Sequence, residues 1–386
     1  MTKKRRESFL ILTLLVPVME PKLFTQVSFL VYLFSFLNIA VFAYLFTMLL
    51  LSEKKISILF YLWITYRAYM LVVSLFNGKF EGLMQWGYLT LMISNCILVF
   101  ERFRYSYCEI IKVIYFISNL LLLCNLIAIF LFPRGIIESS FYDVTAGDYY
   151  LLGIKTQFTT MMFPAIVTAL FLSIEKNARN YIVVSAILCL ANIFCKSIST
   201  AIVGFVLLLV LIFINYWKNI KYTGVFIILA WLICQVLFVF IKIQNFFADF
   251  FVEAFHKDAS FSSRVYIWDA AISLLKNSDV LHLIFGHGLY KDDSFVPFSG
   301  SMWQPHNQFL SIIYSNGVIG LFLFCIIVWL CLRGAFRRRS YEMMVIVCFL
   351  SLLLSLTEVY FNVAVCWIPF ICTYYYWQYR LLRVVR

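Results

Sequence analysis

The sequence has few charged residues. Asp, Glu, Lys and Arg make up 13% of the 386-residue chain, whereas soluble domains carry roughly 25%. A water-soluble globule of this length needs more polar surface than that composition supplies. There is also no low-complexity linker that would divide the chain. These deficits exclude a soluble enzyme and a string of separate domains, and they indicate one integral membrane domain over residues 1–386.

Several motifs of catalytic chemistry are also missing. The sequence contains no HExxH, no DxD and no Cys/His cluster, so we expect no metal ion. It contains no P-loop, so ATP is not the expected energy source, and no other cofactor is expected. The eleven cysteines include no CxxC pair, and none lies in the segment 243–305. This pattern argues against a disulfide framework and a thiol redox site.

What the sequence does contain is apolar length. Hydrophobic residues make up 63% of the chain, and apolar runs near the ~20 residues that cross a bilayer recur throughout. The basic, then apolar N-terminus lacks a signal-cleavage pattern and is expected to remain as a first helix. The pattern predicts an all-α polytopic fold with about twelve transmembrane helices. The spans are 8–20, 27–51, 56–76, 83–100, 111–132, 156–174, 180–196, 199–217, 224–242, 306–332, 341–356 and 358–379.

Charge distribution orients this fold. With both termini in the cytoplasm, most Lys and Arg residues fall in the inner segments, as the positive-inside rule requires. The segment 243–305, between spans nine and ten, then becomes a large periplasmic loop with short helices. The net charge of +12 is explained by this topology and by anionic inner-leaflet lipid, and it requires no nucleic-acid partner.

The polar groups concentrate between Ser262 and Gly320. Ser262 or Ser263 is placed to cap a helix that runs to about Leu275. In this helix Arg264 and Trp268 are four residues apart, which suits a cation–π contact. The apolar residues at helical spacing are Val265, Trp268, Ile272 and Leu275. The alternative is an interfacial helix with a snorkelling Arg and an anchoring Trp and no further role.

A Gly-x-Gly turn follows, at Gly286-His287-Gly288. Such a turn permits a close backbone approach, to a ligand or to another part of the chain. His287 within it is a weak candidate for substrate binding. The turn itself is interpreted as a matter of shape more than of chemistry.

The strongest signal lies where the chain re-enters the membrane. Pro305 suits the first turn of a helix, and His306 and Asn307 would then lie among free backbone N–H groups at the positive helix end, a favourable anion site. That end also favours a neutral His306 that can accept a proton. Gly317 and Gly320 further along would let a neighbouring helix pack closely. The alternative is an interfacial histidine without chemistry.

Three further basic residues are candidates for binding an anionic substrate. Lys155 begins span six, and Lys196 lies at the outer end of span seven; either could instead bind lipid phosphate nonspecifically. Arg67 lies within span three, where burying an unpaired charge costs about 2.5–3.5 kcal/mol on insertion scales. It therefore needs a partner or a cavity, and Glu358 is the candidate partner.

These motifs, in this order, resemble the O-antigen polymerase/ligase superfamily. The resemblance rests on Arg264-x3-Trp268, Gly286-x-Gly288, His306-Asn307-x-Phe309-Leu310 and Gly317-x2-Gly320. It extends to the twelve spans and to the large loop before span ten. It implies a GT-C-like glycosyltransferase that takes a glycan from undecaprenyl pyrophosphate, without a metal and with inversion at the anomeric carbon.

The resemblance also implies roles for individual residues. Arg264 would hold the pyrophosphate, and His306 would activate or orient the acceptor hydroxyl. The family commonly has an Arg after span seven, where this chain has Lys196, which carries charge without the bidentate fork. Tyr290 is among the loop aromatics suited to stack on a sugar ring.

Three functions remain open from the sequence. The favoured one is a polysaccharide polymerase that extends a lipid-linked repeat unit. The others are a ligase that transfers glycan to lipid A–core, and a lipid-linked oligosaccharide flippase. The resemblance implies lipid-linked donor and acceptor as partners, together with a chain-length regulator protein. It also implies an active site on the periplasmic side of the bacterial inner membrane.

Overall fold

The computed structural model describes most of the chain, and its long elements are all helices. The described residues are 3–52, 56–80, 82–137, 149–196, 223–247, 264–289, 297–298, 301–302, 305–333 and 342–384. Within them the named strands are the two-residue β1 (Pro297–Phe298) and β2 (Ser301–Met302), which pair antiparallel. The all-α prediction is therefore confirmed. The eighth predicted span, 199–217, lies outside the described residues.

Thirteen α-helices occur in the described ranges. They are α1 (Lys3–Leu15), α2 (Ser28–Leu50), α3 (Ile58–Phe76), α4 (Leu83–Arg102), α5 (Tyr107–Leu131), α6 (Phe158–Lys176), α7 (Asn180–Lys196), α8 (Thr223–Gln235), α9 (Arg264–Lys276), α10 (Val280–Phe285), α11 (Gln308–Leu332), α12 (Glu342–Leu354) and α13 (Ile368–Val384). Among the described helices, α2 to α6 and α11 are long and apolar enough to cross a membrane, while α7, α8 and α12 are shorter apolar helices. The chain is a multi-pass membrane protein, and the number twelve stays a prediction.

Proline explains where two helices differ from the predicted spans. The first helix ends at Leu15 rather than near residue 20, because Pro17 has no N–H to continue the ladder. The last begins at Ile368, ten residues later than predicted, with Pro369 in its first turn, where a missing N–H costs nothing. Two 3₁₀ turns, Tyr360–Asn362 and Ala364–Trp367, fill the segment before it.

Aromatic rings form part of the contact between α3, α11 and α13. The Trp367 ring lies 5.3 Å from that of Trp63, 5.7 Å from that of Phe324 and 5.1 Å from that of Phe361. All four side chains are buried. Edge-to-face pairs at these distances add to the burial of apolar area. The interiors of α3 and α11 and the turn before α13 are therefore packed directly against one another.

Helix α9 packs on α11 through its apolar stripe. Val265, Trp268 and Ala271 form a buried cluster with Leu310 of α11 and with Val239, and Trp268 is 1% exposed. Ile272 and Leu275 pack against the same cluster. The predicted helix and its stripe are confirmed, although Ser262 and Ser263 lie outside the described residues. This packing places Arg264, the first residue of α9, beside the start of α11.

Two glycines bring α10 and α11 into direct backbone contact. Gly317 has φ 62° and ψ −169° inside α11, where it kinks the helix. A Cβ atom there would lie 2.2 Å from the carbonyl oxygen of Ile284, and one on Gly286 (φ 94°) would lie 2.4 Å from the oxygen of Ser315. The predicted close approach of a neighbouring helix at Gly317 is thus confirmed, and α10 is that helix. The residue accommodates the Gly-x-Gly turn, and it does so because only glycine accepts this conformation and approach.

Candidate functional site

Glu358 joins the two residues that the sequence ranked highest. Its Oε1 accepts a hydrogen bond from Nη2 of Arg264 at 2.5 Å. Its Oε2 lies 3.1 Å from Nδ1 of His306. The three side chains are between 17% and 21% exposed. A cation, a carboxylate and an imidazole therefore meet in a partly open position at one end of the helix bundle.

Each member of this triad is fixed by local structure. His306 has φ 46°, a left-handed conformation that few residues other than glycine adopt, and it directly precedes the cap of α11. Glu358 lies between α12 and the Tyr360–Asn362 turn. The hydroxyl of Tyr360 donates to the Thr156 carbonyl at 3.0 Å, just before α6. Strain held by surrounding structure is a feature of many functional sites.

The surroundings determine the charge of Glu358. Burial raises the pKa of its carboxyl, but the hydrogen bond and charge of His306 and the charge of Arg264 outweigh this effect, so the pKa is lowered overall. Glu358 is therefore ionised at neutral pH. An ionised carboxylate only accepts hydrogen bonds, so Nδ1 of His306 is the donor of this pair. In the neutral imidazole the basic lone pair then lies on Nε2.

Asn307 has a structural role in place of the predicted substrate contact. Its Oδ1 accepts from the Leu310 N–H at 2.9 Å and so caps α11. Its Nδ2 donates to Gln235 Oε1 and to the Leu356 carbonyl, both at 2.9 Å. The side chain is 0% exposed. With its amide engaged in three directions, Asn307 connects α8, α11 and the end of α12.

The expected anion site at this helix end is also corrected. The helix begins at Gln308, so His306 lies before the first turn rather than in it. The Gln308 N–H donates to the Ser355 carbonyl at 2.9 Å, and the Leu310 N–H donates to Asn307. Two of the N–H groups that an anion would need are thus occupied. The charge available to an anionic substrate here is that of Arg264.

Trp268 packs inside the protein, which contradicts its predicted contact with substrate. It is almost completely buried in the cluster between α9 and α11, and a sugar ring has no access to a side chain in that position. Its contribution is to hold α9, and with it Arg264, in place. The cation–π contact between Arg264 and Trp268 stays a prediction.

His287 lies in a stack of rings against α11. Its ring centroid is 4.5 Å from that of His282 and 4.4 Å from that of Tyr314. Nδ1 lies 3.1 Å from the Tyr314 carbonyl and Nε2 lies 3.1 Å from Ser278 Oγ. Burial, together with the charge of His282, lowers the pKa of His287, although the Tyr314 hydrogen bond opposes this. Both ring nitrogens have protein partners, so the geometry favours a structural role.

Arg67 does not pair with Glu358, contrary to the sequence prediction. Its Nε donates to Thr90 Oγ1 and its Nη2 to the Trp86 carbonyl, both at 2.8 Å. The guanidinium carbon lies 5.4 Å and 5.6 Å from the ring centroids of Trp63 and Trp86. Glu358 is instead bound by Arg264 and His306. The sequence identified both charged residues but could not pair them correctly, because span order does not specify which helix ends meet.

The remaining predicted residues are placed only by their backbone. Lys155 begins a 3₁₀ turn that ends at Gln157, and the next residue, Thr156, accepts the hydrogen bond from Tyr360. Lys196 is the last residue of α7. Because α6 and α7 are consecutive helices joined by a short turn, the end of α7 and the start of α6 lie at the same end of the bundle. Tyr290 lies outside the described residues.

The described part of the chain offers no cluster of metal-binding side chains. It contains no set of three or more His, Cys, Asp or Glu side chains that could hold a metal ion. The side chains of ten of the eleven cysteines, all but Cys195, are described, and these ten are free.

Comparison with known proteins gives a family for the middle of the chain. Residues 184–325 match the family model described as O-antigen ligase. No curated protein and no solved structure matches the chain. The matched segment includes Arg264 and His306, and the resemblance to the O-antigen polymerase/ligase superfamily is thereby confirmed.

Proposed function

We propose that this protein is a polysaccharide polymerase of the bacterial inner membrane. It transfers a glycan chain from undecaprenyl pyrophosphate to a lipid-linked repeat unit on the periplasmic side. The family match fits O-antigen polymerase or ligase activity in general. The observation that carries the proposal is the bridge from Glu358 to Arg264 and His306, which places a cation and a proton acceptor around one carboxylate.

Arg264 neutralises the leaving group in this proposal. When the bond between the anomeric carbon and the pyrophosphate oxygen breaks, negative charge develops on that oxygen. A guanidinium already oriented by Glu358 can stabilise this charge without reorganising. Its planar fork also matches phosphate oxygens. Lys155 and Lys196, whose backbones lie at the same end of the bundle, are proposed to add positive charge.

His306 acts as the general base. With Nδ1 donating to Glu358, Nε2 takes the proton of the acceptor hydroxyl as its oxygen attacks the anomeric carbon. Glu358 fixes the tautomer and stabilises the imidazolium that forms, as the carboxylate does in a serine protease triad. A correctly placed base contributes about 10²–10⁴-fold to the rate. Attack from the face opposite the pyrophosphate inverts the anomeric configuration, and no metal takes part.

A ligase is the second candidate, and the description of the matched family favours it. Both enzymes break the same donor bond, so the triad serves either. They differ in the acceptor, which is a lipid-linked repeat unit for a polymerase and lipid A–core for a ligase. A composition rich in Phe, Tyr and Ile, and the lysine at position 196, favour the more divergent polymerases.

A deletion strain separates the candidates by lipopolysaccharide gel and by analysis of lipid-linked glycan. Core carrying one repeat unit is expected and supports the polymerase. Unsubstituted core together with long lipid-linked polymer would show a ligase. Absence of lipid-linked units at the outer face would show a flippase and overturn both enzyme proposals.

A further inference from the structure

A second cationic site lies away from the triad, around Arg67. This side chain is 4% exposed, in the middle of α3. A guanidinium has five N–H donors. Arg67 uses three of them, toward Thr90, Trp86 and Met70, and the other two have no acceptor in the described part of the chain. No carboxylate there forms an ion pair with it either.

This arrangement is energetically costly as it stands. Burying a charge without an opposite charge or a full set of hydrogen bonds is unfavourable. The two tryptophan rings at 5.4 Å and 5.6 Å compensate in part, since a desolvated cation–π contact is favourable. A neutral residue would connect α3 and α4 at lower cost. An anion beside Arg67 would offset this cost.

A cavity beside Arg67 gives that anion a place. Its volume is about 60 Å³, and it is lined by Arg67, Trp86, Gln308, Ser315 and Asn316 among others. One water needs about 10–15 Å³ by this measure, so the cavity holds a few waters or one small polar group. Gly82 and Gln85 at the start of α4 also line it. It therefore lies toward the bundle end that carries His306.

Asn316 provides an independent indication of a ligand. It is 2% exposed and lines the cavity, and its Oδ1 has no hydrogen-bond partner in the described structure. A buried amide oxygen left without a hydrogen bond is unfavourable, because its desolvation is not compensated. A hydroxyl or a protonated acid oxygen on the incoming group would satisfy it. Asn316 directly precedes the Gly317 kink, so its position is set by the contact between α10 and α11.

We propose that the Arg67 cavity binds an anionic oxygen group, a carboxylate or a phosphate, carried by a ligand that enters from the side of His306. Two N–H donors on one guanidinium suit two oxygens of such a group. The aromatic side chains of Trp63, Trp86 and Trp367 line the same cavity and keep it apolar around the charged group. The source is either an acidic sugar of the glycan or a lipid phosphate. This inference is independent of the transfer reaction at Arg264.

The test uses the full-length protein in neutral detergent with Arg264→Gln present throughout. That change removes the cation of the triad, so a response cannot arise there and the result does not depend on the proposed transfer. Inorganic phosphate and glucuronate are titrated separately at constant ionic strength, and tryptophan fluorescence is followed. Trp63 and Trp86 lie close enough to Arg67 to report on binding.

A saturable change with phosphate, glucuronate or both is expected. Phosphate alone indicates a lipid phosphate as the source, and glucuronate alone indicates an acidic sugar. Asn316→Asp supplies a carboxylate from within and should abolish the response. Arg67→Gln should also abolish it, and Arg67→Lys should weaken binding by about tenfold, the equivalent of about one lost charged hydrogen bond.

Two results would overturn the proposal. One is no saturable response to either anion. The other is a response that Asn316→Asp and Arg67→Lys leave unchanged, which would show that the cavity holds water only and that Arg67 serves to join α3 to α4. If Arg67→Gln does not fold, these two milder variants decide the question.

Discussion

The carboxylate of Glu358 accepts a hydrogen bond from Nδ1 of His306 at 3.1 Å, across 52 residues of chain. The same carboxylate accepts a hydrogen bond from Arg264, which lies 94 residues earlier in the chain. A single acidic side chain thus holds the two candidate site residues, which lie at the starts of separate helices. Removing it would alter both, and this makes Glu358 the most informative residue to change.

Glu358→Gln should lower glycan transfer by about 10²–10⁴-fold, because an amide neither fixes the His306 tautomer with a charge nor stabilises the imidazolium. Transfer is measured with purified protein and lipid-linked donor, over a range of pH. If Glu358 acts by positioning His306, the variant should change the pH dependence of glycan transfer at low pH as well as its rate. The control is Glu101→Gln. Glu101 is a buried carboxylate at the C-terminal end of α4, where it accepts hydrogen bonds from the Ser57 N–H and the Tyr375 hydroxyl. This control variant should retain activity. Equal activity losses in the two variants would indicate general damage.

Stability should depend on pH through Glu358. Its pKa in the folded protein is lowered from the ordinary value of 4.5, so its charged form stabilises the fold at higher pH. That contribution is fully present above the ordinary pKa and is lost as the pH falls through the lower, folded pKa. Thermal unfolding in detergent between pH 6 and about pH 3 should show the decline, and Glu358→Gln should reduce it. An unchanged decline in the variant would assign it to other carboxyls.

Gly317→Ala should be strongly destabilising. Gly317 and Gly78 have the same φ of 62°, but a Cβ on Gly78 meets nothing within 4 Å, whereas one on Gly317 meets Ile284 O at 2.2 Å. Gly78→Ala therefore measures the cost of the left-handed backbone, about 1–2 kcal/mol. Gly317→Ala should cost at least about 1–3 kcal/mol more, as for overpacking. Thermal unfolding of both variants checks this. Equal costs would mean that α10 moves aside freely.

Asn307→Ala should destabilise the protein by about 1–3 kcal/mol, because it removes a helix cap and leaves buried partners unsatisfied. The structural role also predicts that residual folded protein binds donor with nearly normal KM. Asn307→Ser, which keeps a capping oxygen, should recover part of the stability. A variant with normal stability and a large rise in KM would restore Asn307 as a substrate contact.

Chelation should leave transfer unchanged, because the proposed chemistry relies on Arg264 and His306. The assay is run with excess chelator and again after adding divalent metal ions. A loss of activity that the metal reverses would contradict the metal-independent mechanism. The role of Glu358 in the triad would still be decided by the Glu358→Gln variant.

Pattern and spacing predicted much of this fold. The apolar runs placed α2 to α7 and α11 within a few residues of their observed ends, and the stripe of α9 predicted its buried face. The errors at the first and last spans arose at Pro17 and before Pro369, where apolar sequence continues although the backbone cannot form a regular helix. Hydropathy reports how favourably a segment is buried in lipid, and it carries no information on hydrogen-bond geometry.

The site was less predictable than the fold. Arg264 and His306 were predicted from the sequence, partly through the family resemblance, and the structure brings them together, yet Glu358 was assigned to the wrong arginine. Asn307 and Trp268 belong to the motifs that predicted the site. In the structure Asn307 caps a helix and Trp268 packs in a buried cluster. A residue that positions a site can lie in the same motif as a residue that contacts substrate. A motif alone therefore does not distinguish the two roles.

The sequence by itself determined that this is a helical membrane protein with its polar chemistry before α11, since apolar length and charge pattern act locally along the chain. Tertiary structure decided that Glu358 binds Arg264 and His306, and that Arg67 lies with unused donors beside a cavity. The physical reason is distance along the chain. Hydrophobic burial is a sum over segments, whereas an ion pair depends on which helix ends meet, and helix packing alone determines that.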